Sequence, residues 1–156
     1  MATLLVGRFQ PLHLGHLSVI QQYPDLVIAI GSSKDSGTAE NPLTVAERRL
    51  CLEQVFTGPI VEVPDIHDDD HWVEHLLKIV YTATPTVEQV VSGNPWTIRL
   101  CQAAGLKVVQ IQPTIAVSGT QIRQWIRQHN PIWKQYVPKV IQPIIEGPIS
   151  SRGATA

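Results

Sequence analysis

The chain has 156 residues, the size of one ordinary domain and enough to bury a single core. With 44% hydrophobic and 16% charged residues it reads as globular rather than disordered, and a formal net charge of −1 argues against a surface spread over nucleic acid. A site for an anionic substrate must therefore rest on a few well-placed positive groups. Cys51 and Cys101 lie in apolar-periodic segments and are expected to be small buried hydrophobes rather than disulfide partners or nucleophiles. No apolar run reaches membrane-spanning length and the first residues carry no basic leader, so a cytoplasmic protein without membrane association is expected.

In chain order, short β-rich runs alternate with helix-length segments. Residues 3–6 form a buried strand that ends at Gly7, and a helix follows over about 14–22. The wholly apolar run 26–30 is a second strand, stopping at Gly31. The loop 32–43 is rich in Ser, Gly, Asn and Pro. Thr44 and Glu47 then form a capping box that opens a helix running to about 56. Residues 60–63 are a third strand and 69–80 a third helix. The strand 87–91 ends at Ser92-Gly93-Asn94, and helix 96–104 leads through Gly105 into strand 107–111. Ser118 with Gln121 forms a second capping box for a helix to about 129. The apolar residues of 130–147 are interrupted by prolines, which predicts short helical pieces packed on the body. Residues 150–156 read as a disordered tail, leaving one domain over 1–149.

Strands buried on both faces and separated by helices indicate a Rossmann-like α/β fold: a parallel five-stranded sheet of order 3-2-1-4-5 with helices on both faces. Ligands of such sheets bind beyond the carboxyl ends of the strands, where strand order reverses. The residues expected there are Gly7-Arg8-Phe9-Gln10 and Ser92-Gly93-Asn94.

The strongest chemical signal is Gly7-Arg8-Phe9-Gln10-Pro11-Leu12-His13-Leu14-Gly15-His16. Two histidines straddling a helix start suit a polyphosphate, because free backbone N–H groups and the helix dipole favour negative charge there. Gly15 lets phosphate approach the backbone, and imidazoles can donate to phosphoryl oxygens whose charge grows in a transition state. The second signal is Ser118-Gly119-Thr120-Gln121-Ile122-Arg123. Ser118 caps a helix whose first turn exposes N–H donors, and Arg123 lies one turn in, where it can fork onto phosphate oxygens. Ile122, Trp125 and Ile126 form the buried stripe of that helix.

Residues 7–16 resemble the extended (H/T)xGH motif of the nucleotidyltransferase superfamily, and residues 118–123 resemble its later (I/V)S(S/G)TxIR motif. More narrowly, the chain is similar to the archaeal-type nicotinamide-mononucleotide adenylyltransferases. The matching stretches are GRFQPLHLGHL, IGSSKDSGTAENPLTVAERR, VPDIHDDDHWVEH, VVSGNP and VSGTQIR, in order from residue 4 to about 125. The superfamily motifs are specific for the reaction type. Their combination with Asp65-Ile66, Trp72-Val73 and Ser92-Gly93-Asn94-Pro95 points to the nicotinamide substrate.

The resemblance implies that the phosphate of nicotinamide mononucleotide attacks the α-phosphorus of ATP, giving NAD and pyrophosphate without a covalent enzyme intermediate. His13, His16 and Arg123 would be the catalytic residues, with His16 nearest the reacting phosphoryl group. Gly7, Arg8, Phe9, Gly15, Ser118, Gly119 and Thr120 would complete the ATP site. Arg8, Arg48, Asp69, Trp72, Ser92, Gly93 and Asn94 would hold the mononucleotide, with Trp72 stacking on its ring. Mg2+ would be carried mainly by substrate phosphates, with no ligand from a protein side chain, and relatives assemble as homo-oligomers.

Asp69 departs from the family's usual asparagine; its charge should repel nicotinate, so the amide substrate is expected to be preferred. Lys34 replaces a frequent glutamine, and 112–117 lacks the basic residues often seen in relatives. Three rivals are weighed against this reading: transfer to phosphopantetheine or flavin mononucleotide, a non-catalytic nucleotide-binding regulator, and a metal site. The last would use His67, Asp68, Asp69, Asp70, His71 and His75, for which the plainer reading is an acid-rich helix start with exposed histidines.

Overall fold

The computed structural model describes residues 2–111, 115 and 117–153. Five strands, β1 (Ala2–Gly7), β2 (Leu26–Ile30), β3 (Ile60–Glu62), β4 (Val87–Ser92) and β5 (Val108–Gln110), form one all-parallel sheet in the order β3-β2-β1-β4-β5. The expected order is therefore met. Its cause is visible in β1 and β2, where consecutive residues are buried regardless of the face they point to: Leu4, Leu5, Ile28, Ala29 and Ile30 have no exposed surface. A central parallel strand covered on both sides reads as a continuous apolar run, not an alternating one.

The chain packs as two compact units that interleave along the sequence. The first takes its described residues from 2–8, 22–33 and 58–111 and contains the whole sheet. With it go α3 (Asp69–Val80) and α4 (Pro95–Ala103), which touch each other and the sheet. Trp72, Val73, Leu76 and Val80 fall on one helical face and pack with Leu4, Val6, Val27, Ala29, Val61, Val63 and Cys101. Truncating a side chain such as Leu76 to alanine there would cost about 2–5 kcal/mol.

The second unit takes its described residues from 9–21, 34–57 and the segment after 113. It holds nearly all of α1 (Leu14–Gln22), together with α2 (Val45–Glu53), α5 (Gly119–Arg127) and α6 (Gln142–Ser151). Two 3-10 turns lie at Pro131–Gln135 and Lys139–Ile141. α6 packs on α5 and α2. The proline-interrupted stretch supplies Trp133, Val137, Ile141 and Ile145 to this unit's interior, and Ile149 follows them, while Val140 stays exposed.

Local signals hold with two differences. Thr44 and Glu47 exchange both capping-box bonds, whereas Ser118 accepts from the Gln121 N–H with no return bond among the described contacts. The expected tail does not begin at 150: α6 runs to Ser151, and Arg152 is hydrogen-bonded, because Ile145 and Ile149 anchor this last helix. Residues 154–156 lie outside the described residues. Cys51 and Cys101 are buried, and burial raises their thiols to about 12 and about 11, so neither carries a thiolate near neutral pH. No described helix is long and apolar enough to cross a membrane.

Candidate active site

In the second unit the Phe9–Gln10–Pro11–Leu12 loop leads into α1. Phe9 adopts a left-handed backbone, φ 55°, at a cost of about 1 kcal/mol or more that its buried ring offsets. That ring packs against His16 at 4.7 Å between centroids. The His13 and His16 rings stack at 3.8 Å.

Two backbone bonds orient the imidazoles. The His13 N–H donates to His16 Nδ1 at 3.1 Å, and the Gly15 N–H donates to His13 Nδ1, also at 3.1 Å. A nitrogen that accepts carries no proton, so each neutral ring must hold its hydrogen on Nε2. Burial lowers His13 to about 4. It also carries His16 well below the ordinary histidine value, with the neighbouring His13 charge adding to the effect. At neutral pH the pair is thus two uncharged rings, each with an Nε2–H free of the bonds that fix its Nδ1. Gly15 is needed here for a steric reason: a Cβ on it would stand 2.9 Å from His13 Cε1.

The later motif meets the same loop. Arg123 is buried, and its Nη1 donates to the Gln10 carbonyl at 2.7 Å while Nη2 donates to Thr120 Oγ1 at 3.3 Å. Gly119 lets the start of α5 close onto that carbonyl, since an added Cβ would lie 3.1 Å from Gln10 O. Gln10 is the connecting residue that sequence reasoning passed over. Its buried side chain donates to Leu43 O at 3.0 Å and accepts from Leu43 N–H at 2.9 Å. The available signal was a glutamine in an otherwise apolar Phe9–Leu12 run. His13, Gly15, His16, Ser118, Gly119, Thr120 and Arg123 therefore belong to one unit, and the Gln10 peptide joins the two motifs.

Arg48, expected on the mononucleotide, is completely buried in the second unit; its Nε and Nη2 donate to the carbonyls of Thr44 and Asp35. It braces the 35–44 loop from within. Gly7 closes β1, where its carbonyl accepts from Gly31 N–H at 2.8 Å, and Arg8 is exposed beside it.

The remaining expected residues belong to the first unit. Ser92 is buried at the end of β4, and its Oγ accepts from Asn94 N–H; Asn94 in turn caps α4 by accepting from the Trp96 and Thr97 N–H groups. Gly93 and Asn94 stay exposed. Trp72 is only 4% exposed and lies in the core against Trp96, with ring centroids 4.7 Å apart. Trp96 was not singled out from sequence, yet its indole N–H donates to Asp69 Oδ1 at 3.1 Å. Arg99 lies 3.7 Å from Asp69 Oδ2, so the carboxylate has two cationic or donor neighbours.

Two histidines at the acid-rich start of α3 have partners of their own. His71 pairs with Asp68 at 2.7 Å, which raises the imidazole's basicity, and His75 Nε2 lies 2.9 Å from the Pro64 carbonyl. Among the described residues no three His, Cys, Asp or Glu side chains gather around a common point.

Comparison with known proteins places the chain in a family. Residues 4–125 match the cytidylyltransferase-like family. Curated nicotinamide-nucleotide adenylyltransferases match along nearly the whole chain. The protein from Ignicoccus hospitalis is 34% identical over 94% of this chain and 91% of its own. The one from Saccharolobus solfataricus is 37% identical over 91% and 88%. Among solved structures, a bifunctional NMN adenylyltransferase/ADP ribose pyrophosphatase from Francisella tularensis, complexed with AMP and a manganese ion, superposes with a TM-score of 0.68 at 20% identity over 92% of this chain. Thermotoga maritima TmcAL bound with alpha-thio ATP superposes with a TM-score of 0.67 at 13% identity. This chain spans 51% and 56% of those two longer chains, and at such identities they share the fold alone. The chain belongs to the cytidylyltransferase-like family, among its nicotinamide-nucleotide adenylyltransferases.

Proposed function

We propose that the chain transfers the adenylyl group of ATP to nicotinamide mononucleotide by in-line displacement. A phosphate oxygen of the mononucleotide bonds to the α-phosphorus as the bond to the bridging oxygen of pyrophosphate breaks, giving NAD and pyrophosphate. Such a reaction needs alignment and charge stabilisation rather than a protein nucleophile. The buried, protonated Cys51 and Cys101 are consistent with that.

The observation that carries the reading is the neutral imidazole pair following the loop whose Gln10 carbonyl receives Arg123. Two Nε2–H groups whose Nδ1 atoms are already engaged are preorganised donors, and they need no reorientation as charge develops on the α-phosphoryl oxygens. His16 would take the reacting phosphoryl group and His13 its neighbour. Arg123, Thr120 and the N–H groups after Ser118 would take the β- and γ-phosphates. Arg8 would face phosphate at the end of β1. Neither motif contains a carboxylate. This donor set suits Mg2+ carried by phosphate oxygens and water, and the ion would neutralise pyrophosphate charge when bound.

On the acceptor side, Asp69 and the exposed Gly93–Asn94 turn would receive the nicotinamide and ribose, whereas the buried Arg48 and Trp72 are held as structural residues. The Asp69 carboxylate would favour amide over acid, a preference moderated by Arg99. We further propose that the protein works in the cytoplasm and, as the resemblance implies, as a homo-oligomer. The test is incubation with ATP, Mg2+ and a panel of nicotinamide and nicotinate mononucleotides, phosphopantetheine and flavin mononucleotide, followed by product mass. The mass of NAD, with turnover highest on the nicotinamide substrate, is expected. A product formed only from phosphopantetheine or flavin mononucleotide overturns the assignment.

A further inference from the structure

The end of the chain is built into the second unit. Arg152 Nη1 donates to the Pro42 carbonyl at 3.1 Å and pairs with Glu47, the carboxylate that also closes the Thr44 capping box. Arg127, on α5, donates to the Ala39 carbonyl at 2.7 Å and reaches the Arg152 carbonyl at 3.4 Å. Gly153 has φ 67°, and a Cβ there would overlap the Thr38–Ala39 peptide, so both its backbone and the space around it require glycine. Arg152 and Gly153 thus form a strap across residues 38–47.

What the strap holds is adjacent to the proposed phosphate site. Ala39 and Glu40 form one side of an open cavity of about 390 Å³ whose other lining residues are Thr120, Arg123, Gln124, Arg127 and Gln128. Leu43, further along the same segment, has both backbone polar groups taken by Gln10, whose carbonyl receives Arg123. The strap therefore acts on one segment at two points: the wall facing Thr120 and Arg123, and the loop that leads to His13.

We propose that Arg152 and Gly153 are positioning residues for ATP: they fix the 38–47 segment so that the outer phosphates meet Thr120 and Arg123 in register. The inference rests on the assignment of ATP to the His13–His16–Arg123 site. It predicts a selective effect. Asp69 and Asn94, on the acceptor side, belong to the sheet-bearing unit and make none of the strap's contacts described above.

The experiment compares wild type with Arg152→Ala, Arg152→Lys and Gly153→Ala by calorimetric binding of Mg-ATP without acceptor, by KM for each substrate and by thermal midpoint. Arg152→Ala and Gly153→Ala should each weaken ATP about tenfold in both Kd and KM. KM for nicotinamide mononucleotide should stay within twofold, and Arg152→Lys should recover ATP affinity to within about threefold of wild type. ATP affinity within twofold of wild type in both variants overturns the proposal. So does a parallel loss of both substrates alongside a lowered midpoint, which is what a merely structural contact would give. If Arg152→Ala fails to fold, Gly153→Ala, which removes no charge, decides the matter by the same criteria. A wild-type protein that binds ATP in a strap-dependent way yet makes no NAD would refute the proposed reaction and leave the strap standing.

Discussion

Replacing His16 by asparagine separates the two jobs of its imidazole. Nδ1 accepts from the His13 N–H at 3.1 Å, and Nε2 carries the outward proton. The side-chain oxygen of an asparagine occupies nearly the place of Nδ1, so the bond that seats the loop survives while the far donor is lost. Losing one preorganised donor to a developing oxyanion costs about 10²–10³ in kcat, or about 3–4 kcal/mol. The stability loss is confined to ring contacts with Phe9 and His13, about 1 kcal/mol, and should lower the midpoint of a domain this size by about 2–4 °C. Glutamine at the same position does the converse: its amide nitrogen reaches toward the place of Nε2, but nothing accepts from the His13 N–H. That variant should keep more turnover than asparagine and lose more stability. The assay is NAD formation at saturating ATP and nicotinamide mononucleotide, with a thermal scan of each protein. A His16→Asn enzyme within threefold of wild-type kcat would remove the Nε2–H from the mechanism.

Other expectations follow from the same contacts. Gly15→Ala places a Cβ against the His13 ring, so kcat should fall about tenfold to a hundredfold with His13 and His16 both present; an unchanged kcat would show that the ring's position is immaterial. His13 and His16 titrate lower in the folded chain than the ordinary 6.5, so the unfolded chain binds the extra protons. Stability should decline as pH falls through 6.5 and keep declining to about 4, with His13 alone contributing up to about 3 kcal/mol. Denaturant midpoints measured from pH 7.5 to 4 check this, and His13→Asn should flatten the decline. Asp69→Asn should improve kcat/KM on the nicotinate mononucleotide relative to the nicotinamide one by about threefold to tenfold, the size of a like-charge contact near a surface. An unaltered ratio would detach Asp69 from substrate choice.

The parts of the fold written in local chemistry were legible. A run such as Leu26–Ile30 has no polar residue to alternate, and Thr44 with Glu47 is a complete cap within four residues. The histidine and Ser118 motifs were legible for the same reason: each gathers its donors within a single turn. What escaped depends on contacts between distant segments. Arg48 reads as one of two adjacent helix arginines, and nothing in Glu47-Arg48-Arg49 tells which one turns inward to the Asp35 carbonyl. Gln10 and Leu43 are 33 residues apart, and Arg123 and Gln10 are 113 apart, so neither pairing leaves a periodic trace. Trp96 read as an ordinary helix residue because its partner Asp69 lies 27 positions earlier. Residues 150–153 lacked any apolar pattern after Ile149, and what holds Arg152 is the Glu47 carboxylate and the Pro42 carbonyl far back in the chain, with the Arg127 guanidinium donating to its own carbonyl.

The electrostatics of the pair bear on why histidine, rather than lysine, suits the position. A free ammonium buried beside the Phe9 ring would have to be desolvated at a cost of several kcal/mol before any substrate arrived. A neutral imidazole with Nδ1 already satisfied avoids most of that cost and still presents a donor. In the proposed complex a triphosphate's charge would oppose the burial effect and raise the basicity of both rings, so their Nε2–H bonds would strengthen as negative charge collects on the transferred group. In this proposal Arg123 would supply the permanent positive charge, and its 2.7 Å bond to the Gln10 carbonyl ties that charge to the loop leading to His13. Arginine is needed there, since a lysine could not bond both Gln10 and Thr120 and still present donors to phosphate in the fixed plane of a guanidinium. Arg123→Lys should accordingly lose most of the ATP affinity that Arg123→Ala loses. A lysine variant with wild-type KM for ATP would mean that charge alone, without the fork, suffices.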